Sequence, residues 1–151
     1  MTLGWREWIE LPSLGVPWIK TKIDTGARTS SLHAENLTYC HEAGRTLALF
    51  SVHPRQRSLQ PHCRCEAEVL EFRQIRSSNG IEEIRPVIAA TVRLLGQTWQ
   101  IELTLTNRDQ MGFRMLLGRQ ALRGRFLVDP GRSYCTGSVP ESRRFPRSAG
   151  S

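Results

Sequence analysis

The sequence predicts an all-β domain, either a barrel or a sandwich. Three observations carry that prediction. Apolar residues come in short runs, several of them alternating with polar residues, and Gly, Pro, Ser, Asn or Asp bound each run. Asn79-Gly80 separates two such runs and is the strongest short hairpin signal in the chain. No stretch keeps a helical period over an ordinary helix length, and no internal repeat is present.

Residues 5–11 are expected as the first strand, broken by the turn residues of Pro12-Ser13-Leu14-Gly15-Val16-Pro17. In 18–23, Ile19, Thr21 and Ile23 face one side while Trp18, Lys20 and Lys22 face the other. Residues 29–37 continue as strand and turn, 47–52 form a short strand, and 54–65 are polar, arginine-rich and aperiodic, hence a loop. The β-formers of 66–76 predict a strand running into Ser77-Ser78-Asn79-Gly80. Two more strands are expected over 84–94 and 98–106, with Leu95-Gly96-Gln97 turning between them. Trp99, Ile101, Leu103 and Leu105 mark the second as half-buried. A polar turn at 107–112 precedes a short buried strand at 113–117. Residues 118–122 start one helical turn, stopped by Gly124, and 126–128 form a last strand ended by Asp129-Pro130-Gly131. One domain is expected over 1–135. The Gly-, Ser-, Pro- and Arg-rich remainder, 136–151, has almost nothing to bury and is expected as a disordered basic tail.

The 151 residues suffice for one core. No apolar run approaches the roughly 18 residues of a membrane span, and residues 1–6 lack a basic region followed by an apolar one. The expectation is a soluble cytoplasmic protein with no membrane partner. Without an export signal, Cys40, Cys63, Cys65 and Cys135 are expected as free thiols. Arginine supplies nearly all of the net charge of +7, and it is scattered, with no basic stripe. General solvation or an acidic substrate is therefore favoured over nucleic acid.

Chemistry concentrates in Ile23-Asp24-Thr25-Gly26-Ala27-Arg28-Thr29-Ser30-Ser31. A carboxylate stands at a strand end, where the chain must turn sharply. Thr25 can lock the turn through its hydroxyl, and Gly26 lets backbone or substrate come close. Far downstream stands Met115-Leu116-Leu117-Gly118-Arg119-Gln120-Ala121-Leu122. The first segment resembles the Asp-Thr-Gly loop of aspartic peptidases. The second resembles the segment that crosses behind that loop in retroviral-type enzymes. Together with Gly4-Trp5-Arg6-Glu7-Trp8, Arg85-Pro86-Val87 and the run from Leu103 to Leu122, they make the chain similar, over roughly residues 4–130, to the bacterial retropepsin-like family. Its members are often labelled ATP-dependent zinc proteases.

The resemblance implies a closed acid-protease barrel with one short helix after the Leu-Leu-Gly-Arg segment. It implies peptide hydrolysis by a water activated between two Asp24 carboxylates, one per chain of a homodimer, with no cofactor and no metal. Asp24, Thr25 and Gly26 would form the catalytic loop. Ala27, Arg28, Leu117, Gly118 and Arg119 would bind substrate or support the site, with Leu117 filling the core, Gly118 allowing two backbones to approach and Arg119 tying the loop down through its planar fork. In some genomes such proteins accompany the ligase that adds glutamates to a ribosomal protein, which implies an acidic tail as one substrate.

Two departures stand out. Viral enzymes carry a second acid four residues after the catalytic one, paired to the arginine of the crossing segment. This chain has Arg28 there, so Arg119 needs another partner, with Asp129 and Asp109 the candidates. The glycine-rich lid of the viral enzymes is also missing, and Ser77-Ser78-Asn79-Gly80 is the candidate replacement. The rival functions are a non-catalytic peptide-binding or dimerisation module on the same fold and a zinc protease. For the latter, His33-Ala34-Glu35 with His62-Cys63-Arg64-Cys65 is faintly similar to the zinc deaminases but has Cys-x-Cys where those need Cys-x-x-Cys, which leaves His62, Cys63 and Cys65 as a candidate cluster. The metalloprotease helix motif is absent, and so is any Gly-Lys-Ser/Thr phosphate loop that ATP dependence would require.

Overall fold

The computed structural model describes residues 1–53, 63–76, 80–107 and 112–137. Its elements are β1 (Thr2–Leu3), β2 (Arg6–Leu11), a 3-10 turn (Pro12–Leu14), β3 (Val16–Asp24), β4 (Ser30–His33), β5 (Glu35–Glu42), β6 (Arg45–Val52), β7 (Cys63–Arg76), β8 (Glu82–Leu94), β9 (Gln97–Thr106), β10 (Met115–Gly118), α1 (Arg119–Leu122) and β11 (Leu127–Val128). The chain is all-β with one short helix, as expected.

Strands pair in the order β2-β3-β10-β4-β9-β8, and β8 returns to β2 through the pair Glu10↔Arg93. That contact closes a six-stranded mixed barrel. The Arg93 guanidinium also donates to the Glu10 carboxylate, at 3.1 Å, across the same seam. Of the two architectures the sequence left open, the barrel is the one present. Closure removes the free edges that an open sheet would leave. Strands β7, β6 and β5 continue outward from β8 as an antiparallel arm. The arm is not a separate layer, because Ala48, Phe50, Val52 and Cys65 join the same buried cluster as Ile19, Leu103 and Leu117.

The alternating strands bury the faces that their sequences mark. Ile19, Thr21 and Ile23 of β3 are buried, as are Trp99, Ile101, Leu103 and Leu105 of β9. β10 lies between β3, to which it is parallel, and β4, to which it is antiparallel. It has no solvent face, and Met115, Leu116, Leu117 and Gly118 are all buried.

The structure differs from the expected boundaries in three places. Residues 35–42, expected only as far as 37 and there as the end of a strand-and-turn segment, form the exposed strand β5, which returns through Ala43 and Gly44, both at positive φ, into β6. Cys63 to Cys65, assigned to a loop, begin β7. A parallel pair of β1 with β11 ties the two ends of the barrel chain together. The rest of the expected loop, residues 54–62, lies outside the described residues, as do 77–79 of the hairpin tip and 138–151 of the expected tail.

Candidate active site

β3 delivers Asp24 to the rim of the barrel, and the chain reverses at once. The turn is held by the acid rather than by Thr25. The Gly26 N–H donates to Asp24 Oδ1 at 2.9 Å, and the Ala27 N–H donates to the Asp24 carbonyl at 3.2 Å. Thr25 is exposed, and among the described residues its hydroxyl has no partner. Asp24 Oδ2 lies 3.7 Å from Lys22 Nζ, and the aspartate side chain keeps 28% of its surface open to solvent. The Gly26 N–H thus fixes one carboxylate oxygen, while the other lies near the Lys22 ammonium.

The crossing segment sits where the sequence placed it. Leu117 pairs with Ile23 and Gly118 with Asp24, so β10 runs directly beside the end of β3. Leu117 is fully buried beneath the loop. Gly118 is required sterically, because a β-carbon there would lie 2.5 Å from the Thr29 carbonyl oxygen and 2.9 Å from that of Ala27. The Arg119 N–H donates to Ala27 O at 2.8 Å and the Gln120 N–H to Arg28 O at 3.2 Å. The loop thus hangs from β10 and the start of α1 by backbone bonds.

Arg119 does tie the loop, but not through a carboxylate. Its guanidinium donates to the Gly26 carbonyl at 3.2 Å. Asp129, one expected partner, accepts instead from the Gly131 N–H at 2.9 Å, and Asp109 lies outside the described residues. With Arg28 in place of an acid, a backbone oxygen serves as acceptor. Ser30 is a supporting residue that the sequence did not single out. It is buried, its hydroxyl accepts from the Gly118 N–H at 3.0 Å, and its carbonyl accepts from the Thr104 hydroxyl at 3.2 Å. Its only sequence signal is a hydroxyl residue at the start of an otherwise buried strand.

Asp24 opens onto a cavity of about 840 Å³, a size ordinary for ligand sites. Gly26, Ala27 and Arg28 form one wall, while Arg73, Ile75 and Arg76 of β7 form another. The strands of the β7–β8 hairpin therefore border the same cavity as the Asp24 loop. The tip residues 77–79 of the expected lid are outside the described residues, but the strands that carry them border the cavity. Within the hairpin, Arg85 of β8 is buried and ion-paired to Glu83, whose carboxylate also accepts from the Thr106 hydroxyl at 3.0 Å. Arg28 is exposed, and its side chain forms no ion pair among the described residues.

The thiols lie elsewhere. Cys63 and Cys65 point to one side of β7, and Cys65 is buried, with its thiol directed at the Leu14 carbonyl at 3.4 Å. Burial first, then the neighbouring Cys63, pushes the Cys65 thiol up to about 12, so it stays protonated. His62 is outside the described residues. Among the described residues no three His, Cys, Asp or Glu side chains come together as a metal would need.

A family model described as "Retropepsin-like aspartic endopeptidase RimB" matches residues 2–138. The chain is also similar to proteins named probable alpha-L-glutamate ligase. It is 50% identical over 135 residues to the one from Shewanella pealeana, covering 89% of this chain and 30% of that protein. It is 47% identical over 141 residues to the one from Parasynechococcus marenigrum, covering 93% and 30%. The chain therefore spans about 30% of the length of these curated relatives. A crystal structure of a Legionella pneumophila protein of unknown function shares the fold, with a TM-score of 0.71, 27% identity, and coverage of 89% of this chain and 97% of that one.

Proposed function

The chain belongs to the family of RimB-like, retropepsin-like aspartic endopeptidases, and from that membership we propose that it acts as a homodimer in which two Asp24 carboxylates, one per copy, activate a water to cleave an acidic peptide. One observation carries the reading. A single carboxylate, fixed at a strand end by the Gly26 N–H, faces an open cavity large enough for a peptide segment.

Aspartic peptidase chemistry requires two such carboxylates close together. At that separation both cannot ionise cheaply, so one keeps a proton and the other acts as base. The base takes a proton from the water between them, and the acid polarises the scissile carbonyl. The pair titrates as a unit. The chain holds one Asp-Thr-Gly, so the second carboxylate comes from a copy related by a two-fold axis through the site. Exposure of Thr25 and Gly26 at the loop tip supports that arrangement. Thr25 braces the paired loops, Gly26 lines the site, and the β7–β8 hairpin covers the peptide and excludes water.

Cationic side chains on the cavity wall support an acidic substrate. Lys22, Arg28 and Arg76 border it together with Asp24. The ligase name of the relatives agrees with this, because a glutamate chain added by one activity is a peptide that the other could shorten. The four cysteines are free thiols, which supports the cytoplasm as the compartment.

Asp24→Asn tests the reading. The amide oxygen can still accept from Gly26, so the fold should persist, while cleavage of a glutamate-rich peptide should fall by at least about a hundredfold. Wild-type turnover in the folded variant would remove Asp24 from the chemistry.

A further inference from the structure

A second cavity, of about 390 Å³, lies beside the first. Thr29, Arg73, Glu102 and Gln120 border both. Two of these four form an ion pair at the boundary. Arg73, on lid strand β7, donates from Nη2 to Glu102 of β9 at 3.1 Å, and from Nε to its strand neighbour Glu71, also at 3.1 Å. The second cavity is again basic, with Arg123 and Arg125 on its wall, the latter stacked over the Trp99 ring at 4.8 Å.

We propose that Arg73 is a specificity-determining residue of the peptidase: without peptide Glu102 occupies it, and an acidic side chain of a bound peptide takes the place of Glu102, joining the two cavities into one continuous substrate groove. This rests on the peptidase reading above and extends it to a named contact.

The exchange is chemically balanced. One carboxylate leaves the guanidinium and another arrives, so no donor is left bare. Glu71 holds the fork throughout, which keeps Arg73 aimed at the boundary. Glu102 is 53% exposed, so its released carboxylate is taken up by solvent. A neutral side chain offers no such replacement and leaves Arg73 on Glu102. Both carboxylates also raise the tendency of Arg73 to stay protonated, the Glu71 bond more than the Glu102 bond. The cation is therefore present at any working pH.

The test uses the full chain and peptides of equal length, in which Glu or Gln is placed one position at a time outward from the scissile bond. Wild type should prefer Glu at one position by roughly tenfold or more in kcat/KM. Arg73→Gln should bring that ratio close to one. Glu102→Gln should raise it, because the internal competitor is weakened, and a folding defect does not mimic a gain. A ratio that Arg73→Gln leaves unchanged overturns the proposal. Affinities of the same peptides for Asp24→Asn give the preference without turnover. A Glu preference there, with no cleavage by wild type, keeps the Arg73 proposal and counts against the peptidase reading alone.

Discussion

Gly118 shows how little room the Asp24 loop has. A β-carbon on it would run into the carbonyls of Thr29 and Ala27, and its N–H is spent on Ser30. Both opposing atoms are backbone, so neither can rotate away. Gly118→Ala should therefore cost about 3 kcal/mol or more through overpacking, which corresponds to a fall in Tm of roughly 6–12 °C in a domain of this size. Thermal unfolding of the purified variant measures it, and an unchanged Tm would mean the crossing is looser than described. Asp24, Gly26 and Gly118 were legible in the sequence because each bears a constraint that its residue type announces. The partners of Arg119 and Gly118 were not. A backbone carbonyl has no signature in a sequence, since every residue carries one, whereas carboxylates such as Asp109 and Asp129 are visible as residue types. Once Arg28 occupies the place of the second acid, the nearest acceptor is the loop's own Gly26 oxygen.

Among the elements, those with one wet and one dry face could be read directly. β3 and β9 alternate and bury the faces they announce. β5 could not be read, because its eight residues are almost wholly exposed and polar, and its return turn uses Ala43-Gly44 where Asn-Gly would have marked it. The segment after β11 was equally hidden, because its anchor is one buried acid far back in the chain. Glu7 of β2 is fully buried, and it accepts from the Gly4 and Cys135 N–H groups through Oε2 and from the Thr136 N–H and hydroxyl through Oε1. Trp8 stacks on Tyr134, and the Trp5 N–H donates to the Arg132 carbonyl at 2.8 Å, which completes the strap. This strap backs the strand that pairs with β3, and so supports the Asp24 rim from behind. Glu7→Gln would set an amide NH₂ against the Gly4 and Cys135 N–H groups in one orientation and against the Thr136 N–H in the other, where only the Thr136 hydroxyl can turn to accept. It should destabilise by about 2–4 kcal/mol and speed hydrogen exchange at Gly4, Cys135 and Thr136 above all. Exchange at these amides that matched wild type would show that the carboxylate is not what holds the strap.

At the scale of the molecule, the barrel is closed by a seam on one side and carries the Asp24 loop on the other. Closure was not legible from periodicity, because it depends on one pairing, Glu10↔Arg93, between strands far apart in the chain. Only the resemblance to known peptidases pointed to it. The other side carries Asp24, with its loop tip exposed and an open cavity beside it. If the groove is completed by a second copy, activity belongs to pairs of chains and not to single ones. Mixing then gives a quantitative test. Let wild type and Asp24→Asn exchange subunits freely at constant total concentration. Only pairs with two native carboxylates cleave, so activity follows the square of the wild-type fraction, and an equal mixture retains about a quarter of the starting activity for a two-fold site. A chain that works alone would retain about half, because each wild-type copy acts independently. The variant keeps its loop geometry, so it competes for partners as well as wild type does. Dilution supplies the independent arm. Specific activity should fall once the concentration drops below the dimer dissociation constant. A linear mixing curve together with dilution-independent activity would exclude the shared site, and Asp24 would then need its second proton carrier from within its own chain.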